Sequence, residues 1–556
     1  MMLLCVLLSL FAGRLVQLQG LDASTYAAAA EYAGMRPTTL PALRGPILDR
    51  DGEPLARSVE AYDVTVDQTH VRNPAAYALQ LDDLLAADLG TIQAALTGEK
   101  RFAYLAKKVT PETWRAIQQL NLPGLFAQPV SQREYPAGSV AGNVVGFAGA
   151  DGHGLAGLEL SMDEVLAGRD GLLTCQQSAG GQCIPSGNSS REAAVEGGGV
   201  QLTIDRDIQW YAEQAIASAV ADARADAGNA VVLDTRTFEV VAMATSPGVD
   251  PGDPGASRDD DRGNRAVEEA YEPGSVFKPL TMAAVIDEGA ATPATVLSVP
   301  DHVSRSGETI NDYYDHPRQQ MTLTGIMAKS SNVGTLLAAE RIDKGRFRDY
   351  LAGFGLGSPP DLSLPGESAG RLPEDWSDLS RDTIAFGQGV SVSTVQMAAA
   401  YATIANGGVR LPARLVDATI DADGVGTPVD VGSPLRVVSE ETADAVTLMM
   451  EAVMGEDGTG RSVGVPGYRV AGKTGTAQRV DPACGCYRDY NASFMGFAPA
   501  DDPRYVVVVS LLNPRKGNSG GSLAGPVFSD VMGFTLAQMG VPPTGTEAPS
   551  LPLFAG

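Results

Sequence analysis

The sequence has 556 residues, 44% hydrophobic and 6% aromatic, and a formal net charge of −26. That length allows two to four domains with well-buried cores, and the composition is that of a globular chain rather than a disordered or fibrous one. It has no Lys/Arg-rich run of the kind that binding a phosphate backbone requires, which sets nucleic acid aside as a partner.

The chain opens with an apolar run, MMLLCVLLSLFAG, that meets Arg14. A membrane-spanning helix takes about 20 apolar residues, and a signal peptide has a basic start and a small-residue cleavage site. The run matches neither fully. One reading is a short hydrophobic terminus or core helix; the other, and the expectation adopted, is residues 1–20 as the outer part of an uncleaved, truncated membrane anchor. Leu21 to Met35 is Ala-rich and helical in character. Next, RGPILDRDGEPLA predicts a hairpin, with Asp51-Gly52 turning Pro46-Ile47-Leu48 back into a second strand. Mixed short strands and helices follow to about residue 195, where a Gly/Ser-rich stretch from Ser186 to Gly199 reads as a linker.

A second unit begins with VQLTID and an amphipathic helix reaching Val220. Ala230–Leu233 and Val240–Met243 predict a strand pair, helices dominate from Ser275 to about Met454, and strands return at Arg469-Val470, Phe494–Phe497 and Tyr505–Leu512. Sheet, helices, then sheet again is an α+β order in which both ends of the domain build one sheet. The Pro/Thr/Ser-rich residues after Pro542 predict a disordered tail, 541–556. The domain boundaries are thus 36–195, 200–540 and the tail.

Four of five cysteines lie in close pairs. Cys175 and Cys183 suit a small-loop disulfide. Cys484 and Cys486 are cramped for a direct bond, which leaves them reduced, paired elsewhere or, as a sharper alternative, binding zinc. Disulfides fit an oxidising, extracytoplasmic location. The histidines, His70, His153, His302 and His316, have no ligand spacing and read as surface or loop residues, so no metal is expected.

The chain has only eight lysines, and two of them sit in motifs. In YEPGSVFKPL, Ser275 lies where a helix begins, and Lys278 three positions on shares its face. A serine hydroxyl becomes a nucleophile when a neighbour takes its proton, and a buried lysine of lowered pKa can do that. Taken alone, the pattern equally describes a helix N-cap serine beside a surface lysine. In KSSNVG, Ser330 and Asn332 follow a helical stretch and could place a hydroxyl and an amide at a site's rim, or simply cap a helix. In YRVAGKTGTAQR, Lys473, Thr474 and Thr476 offer a cation and two hydroxyls to a carboxylate. Gly475, lacking a side chain, would let an extended substrate approach the backbone and add to the strand. The three motifs together, in this order, match the set shared by penicillin-binding proteins and class A β-lactamases.

The chain resembles class B penicillin-binding proteins, most closely the septal cell-division transpeptidases of actinobacteria, from about Arg44 to Phe534. RGPILDRDGEPLA and Arg133–Glu159 resemble motifs of the family's pedestal domain; YEPGSVFKP, FGQGVSVSTVQMAAAYATIANGG and GKTGTAQR resemble its transpeptidase domain; DPACGCY points to the actinobacterial branch. The resemblance implies an α+β transpeptidase domain of the serine β-lactamase type, with a central antiparallel sheet and helices, behind an elongated α+β pedestal and an anchor. It implies a D,D-transpeptidase in which Ser275 attacks, Lys278 takes the proton, Ser330 and Lys473 relay one to the leaving amine, and Asn332, Thr474, Gly475 and Thr476 bind substrate. Backbone N–H groups of Ser275 and Thr476 would form the oxyanion hole. The implied partners are peptidoglycan stem peptides on lipid-linked precursor strands, β-lactams, the membrane, and divisome proteins including a polymerising glycosyltransferase. No cofactor is implied, and the expected location is a single-pass membrane protein with its catalytic domain outside the cytoplasm.

Three rival functions remain: a class B transpeptidase of elongation, a D,D-carboxypeptidase, and a divisome scaffold. A scaffold predicts degraded motifs, and all three here are intact. A β-lactamase would carry a deacylating Glu-x-x-Leu-Asn after Ser330, and no convincing one is found.

Overall fold

The computed structural model describes residues 2–21, 35–176, 183–184, 188–481, 484 and 486–555. Most of the Ala-rich 21–35 stretch, and part of the expected linker, lie outside these residues.

The first helix runs Met2–Val16, and its large side chains are exposed, Met2, Leu4 and Phe11 among them. At about 1.5 Å per residue it reaches some 22 Å, short of a bilayer's apolar thickness of about 30 Å. Among the described residues no helix is long and apolar enough to cross a membrane. This overturns the expected single-pass anchor over residues 1–20, and with it the membrane localisation. The reason is physical: Arg14, Gln17 and Gln19 follow too soon after the apolar run.

The chain divides into two compact units that do not follow chain order: Met1–Gly45, Arg57–Glu134 and Val165–Gly198 form one, and Pro46–Ala56, Tyr135–Glu164 and Gly199–Gly556 the other. In the first, Arg57–Val66 pairs antiparallel with Leu125–Glu134 along its length and with Ala103–Val109. Helices Pro74–Leu81, Leu89–Leu96 and Pro111–Gln119 start at Asn73, Asp88 and Thr110, whose side chains accept the orphan N–H groups of the first turn. They bury Ala78, Leu81, Ile92, Leu96 and Ile117 against Val64, Val66 and Leu105. A second, three-stranded sheet joins Met35–Leu40, Gly171–Gln176 and Ser189–Glu192, and Cys175 is bonded to Cys183 beside it.

Among the described residues, the second unit's central sheet has five antiparallel strands in the order Val240–Ser246, Ala227–Asp234, Tyr505–Leu512, Cys486–Ala498, Ala471–Asp481. Every residue of Tyr505–Leu512 is buried. Such a continuous apolar run is what a strand covered on both faces requires. Helices Arg206–Ala223 and Gly520–Gln538 pack on one face, with Ile208, Ala212, Ile216, Phe528 and Val531 meeting Val232, Phe494, Val507 and Val509. Helix Thr394–Ala405 lies against the strands from the other side, started by a full capping box between Ser393 and Gln396.

Most of the two motifs read as pedestal signatures, from Pro46 and from Tyr135 onward, falls in this second unit. Ile47-Leu48 pairs with Pro54–Ala56 and, in parallel, with Val200-Gln201. The Asp49 carboxylate closes the turn by accepting from Asp51 and Glu53 N–H. Further on, the Asn143 side chain donates to the carbonyls of Asp261 and Gly263 and accepts from Val249, and Glu213 accepts from Ala141 N–H.

Two further expectations are corrected. Cys484 and Cys486 are bonded to each other across the tip joining the last two strands, with Cα atoms 5.2 Å apart, inside the usual range for a disulfide; they are therefore neither reduced nor zinc ligands. The residues after Pro542 are placed rather than structureless. Thr544 and Thr546 bond Asp501, Phe554 bridges Met321, and Leu553 accepts from the N–H of Thr322. Sequence composition registers polarity but not a partner edge 230 residues away.

Candidate active site

Ser275 sits in a 3₁₀ turn, Gly274–Phe277, that leads directly into helix Lys278–Asp287. Gly274 adopts a φ of +60°, and a Cβ there would meet that of Ala477 at 2.8 Å. The turn therefore takes this shape only with glycine before the serine. Ser275 is partly exposed, whereas Lys278 behind it is wholly buried.

The second motif comes from two helices meeting end to end. Helix Leu323–Lys329 closes on Ser330, which holds a left-handed φ of +60°, a conformation costing a non-glycine residue about 1–3 kcal/mol. Helix Asn332–Ala339 then starts from Ser331, whose hydroxyl accepts from Gly334 N–H. The sharp turn points Ser330 and Asn332 the same way. Lys278 Nζ donates to Asn332 Oδ1 at 2.9 Å and to Ser330 O at 2.5 Å, and lies 3.2 Å from Ser330 Oγ. No hydrogen bond joins Lys278 to Ser275 among the described residues, so the lysine is held by the second motif.

The third motif lies on the edge strand Ala471–Asp481, not at a turn. Lys473 is fully buried and donates to Ser330 Oγ at 2.9 Å. Thr474 shares a hydrogen bond with Thr459 (2.8 Å), and Thr476 Oγ1 accepts from Gly520 N–H. Gly475 has a different role from the one expected: a Cβ there would fall 2.3 Å from Ser493 Oγ and 2.8 Å from Val276 Cγ1. The missing side chain makes room for Ser493 of the neighbouring strand and for Val276 of the serine turn. The strand's own ladder partner is Cys486–Ala498, and among the described residues no strand pairs with its other edge.

The electrostatics follow from two buried amines meeting at one hydroxyl. Burial pulls the Lys278 pKa down to about 7, against the opposing charge of Asp312. Burial, reinforced by the positive charge of Lys278, holds Lys473 well below the usual lysine range. A neutral amine at neutral pH can take a proton from a hydroxyl; an ammonium cannot.

Ser275, Ser330, Asn332, Thr474 and Thr476 line one cavity of about 230 Å³, with Lys278 and Lys473 directly beneath. The same walls hold Lys329, Phe386 and Gln388, which lie inside the KSSNVG and FGQGVSV stretches but had no role assigned, and Tyr313, Tyr314, Thr459 and Ser519, which no motif pointed to. Paired tyrosines in the polar loop NDYYDHPR are the one signal that could have marked two of them. His316 in that loop is no surface residue, since its side chain is only 5% exposed.

The geometry coincides with a known family. The penicillin binding protein transpeptidase domain matches residues 228–533, and the penicillin-binding protein dimerisation domain matches residues 39–202. The chain belongs to the class B penicillin-binding proteins. This penicillin-binding protein is 40% identical to PbpB of Mycolicibacterium smegmatis over 93% of its own length and 86% of that protein. It is 33% identical to the peptidoglycan D,D-transpeptidase FtsI of Escherichia coli, covering 97% and 91% of the two chains. Among solved structures it is similar to penicillin binding protein 3 of Mycobacterium tuberculosis complexed with aztreonam, with a TM-score of 0.74 and 37% identity over 93% of this chain and all of that one. A peptidoglycan synthetase of Bifidobacterium adolescentis gives a TM-score of 0.76 at 32% identity, over 94% and 100% of the two chains. The enzyme is accordingly a D,D-transpeptidase.

Proposed function

We propose that this enzyme cross-links peptidoglycan stem peptides through an ester on Ser275, and that it does so at the division septum. Lys278, neutral in a substantial fraction near pH 7, takes the hydroxyl proton as Ser275 Oγ attacks the penultimate D-Ala carbonyl. Backbone N–H groups of Ser275 and Thr476 stabilise the oxyanion, at about 3 kcal/mol for a typical donor. The C–N bond breaks, the terminal D-Ala leaves with a proton relayed through Lys473 and Ser330, and an amine of a neighbouring stem then displaces the serine. Thr474 and Thr476 bind the terminal carboxylate. Asn332 bonds the substrate amide while holding Lys278, and the substrate lies as an added strand along the open edge of Ala471–Asp481.

The observation that carries this reading is the convergence of three motifs, spread over about 200 residues, on one cavity with two buried lysines. β-Lactams mimic the D-Ala-D-Ala end and acylate the same serine, the ring C–N bond opening as the ester forms. Mass spectrometry of the penicillin-treated protein should place one adduct on Ser275; an adduct elsewhere, or none, refutes the assignment. The septal role is supported by the likeness to PbpB and FtsI, and the partners proposed with it are division proteins, including a polymerising glycosyltransferase. Depletion should give unseptated filaments or branching; rounded cells would refute it.

A further inference from the structure

The loop between Asn311 and Gln319 is tied into the Ser330–Asn332 turn at several points. The Asp312 carboxylate uses both oxygens. Oδ2 accepts from the Ser331 hydroxyl at 2.7 Å, and Oδ1 accepts from Val333 N–H at 3.0 Å. One residue earlier, the Asn311 carbonyl accepts from Asn332 Nδ2 at 3.0 Å, which turns Asn332 Oδ1 towards Lys278. His316 closes the arrangement from behind, with Nε2 3.0 Å from Asp312 Oδ2 and Nδ1 2.8 Å from the Pro317 carbonyl. A carboxylate and a carbonyl only accept, so the imidazolium satisfies both contacts at once, whereas the neutral ring donates to one of them. Both side chains of the pair are 5% exposed.

From this geometry we infer that Asp312, braced by His316, is a positioning residue for acylation: it fixes the Ser330–Asn332 turn and thereby the amine of Lys278. The inference rests on the serine acyl-enzyme reading above. Asp312 touches no reacting atom. It acts through Ser331, Val333 and its charge, which opposes the burial that lowers Lys278. The charged groups around the pair are Lys278 on the serine helix, Lys473 beyond Ser330, and Asp301 at the start of the strand pair before the loop. Burial disfavours the imidazolium of His316, but the bonds to Pro317 and Asp312 and the charges of Asp312 and Asp301 outweigh it and raise its pKa. The brace is therefore complete below that raised pKa and weakens as pH climbs through it. The same loop carries Tyr313 and Tyr314 onto the cavity wall.

The test measures the acylation rate constant of the full chain with a fluorescent penicillin from about pH 6 to 9, beside thermal melts. Asp312→Ala should acylate at least tenfold more slowly, since misplacing a reacting group by about 1 Å costs up to about a hundredfold. Asp312→Glu should recover part of that rate. Asp312→Asn should move the rising limb to lower pH, because Lys278 loses the carboxylate that supports its ammonium; a purely structural role would leave that limb in place. His316→Gln keeps a donor to Asp312 and should abolish any alkaline decline. Asp312→Ala acylating within about twofold of the wild type, or an unmoved limb in Asp312→Asn, overturns the inference. If Asp312→Ala does not fold, the Asn and Glu variants decide. Absence of wild-type labelling at Ser275 would instead refute the underlying reading.

Discussion

The amine of Lys473 lies 2.9 Å from the hydroxyl of Ser330, 143 positions earlier in the chain. Lys278 reaches the same oxygen at 3.2 Å, so one hydroxyl links two buried amines. Ser330→Ala removes the link but leaves Lys278 bonded to the residue-330 carbonyl and to Asn332. Acylation by a fluorescent penicillin should fall by about 10²-fold, in the range typical of a lost proton-transfer group. The melting temperature should fall only modestly: buried Lys473 loses its hydroxyl partner, at about 1 kcal/mol per lost hydrogen bond, while alanine inherits the same left-handed φ.

The buried lysines also give stability a pH slope. With a folded pKa of about 7 against an ordinary 10.5, Lys278 is protonated in the unfolded chain and largely neutral in the folded one between those values. The unfolded state binds more protons there, so stability rises with pH across that window, and Lys473 acts in the same direction. Lys278→Met should flatten this slope and be more stable than the wild type near pH 7. Denaturant melts at pH 7 and 9 measure both effects; an unchanged slope would show that the lysine stays charged when buried.

Glu213 gives the opposite slope. Burial raises its pKa to about 7, against the hydrogen bonds from Gln209 and Ala141. The folded state holds the extra proton between about 4.5 and 7, so its contribution is favourable at low pH and is lost as pH rises through 7. Glu213→Gln should match the wild type at pH 5 and exceed it at pH 8, by at most about 3 kcal/mol on the linkage relation. Paired thermal melts at the two pH values test the sign.

Gly475→Ala would press a methyl group onto Ser493 and Val276, forcing the edge strand and the serine turn apart. A loss of acylation larger than the loss of stability is expected, with binding of a non-covalent substrate analogue weakened in parallel. A variant labelled at the wild-type rate would mean that the turn can shift freely.

Ending the chain at Ser550 removes the Pro552 and Leu553 carbonyls that accept from Thr322. Thr322 caps the helix that ends on Ser330. Each lost hydrogen bond is worth about 1 kcal/mol, so the truncated chain should melt lower and acylate more slowly. Full activity in the truncated chain would detach the tail from the site.

Four strands of the central sheet and the three motifs were legible in the sequence because their information is local, whereas the edge strand, expected at Arg469-Val470, begins at Ala471 and carries the third motif itself. Val231-Val232-Leu233 reads as a strand wherever it pairs, and Ser275 with Lys278 reads as a helix start. Asp312 and His316 were not legible, since a polar loop records neither what it folds over nor that both side chains are buried. Gly475 was legible as a position needing no side chain, but the reason lay in Ser493 of the neighbouring strand and in Val276, about 200 residues away. The short apolar start invited a membrane reading that helix length does not support. The Cys484–Cys486 bond depended on a strand tip whose geometry sequence spacing does not express.

Strand Tyr505–Leu512 is inserted between Ala227–Asp234 and Cys486–Ala498, so on one side its neighbour lies more than 250 residues away in the chain. Such non-local closure makes folding slow, and an early piece of the chain is left with a bare sheet edge until the late strands arrive. A cut anywhere in the helical stretch between Asn332 and Lys473 would leave the serine with one fragment and the edge strand with the other. Neither fragment could form the acyl-enzyme alone, and their reassembly in solution would be read directly as recovered penicillin labelling.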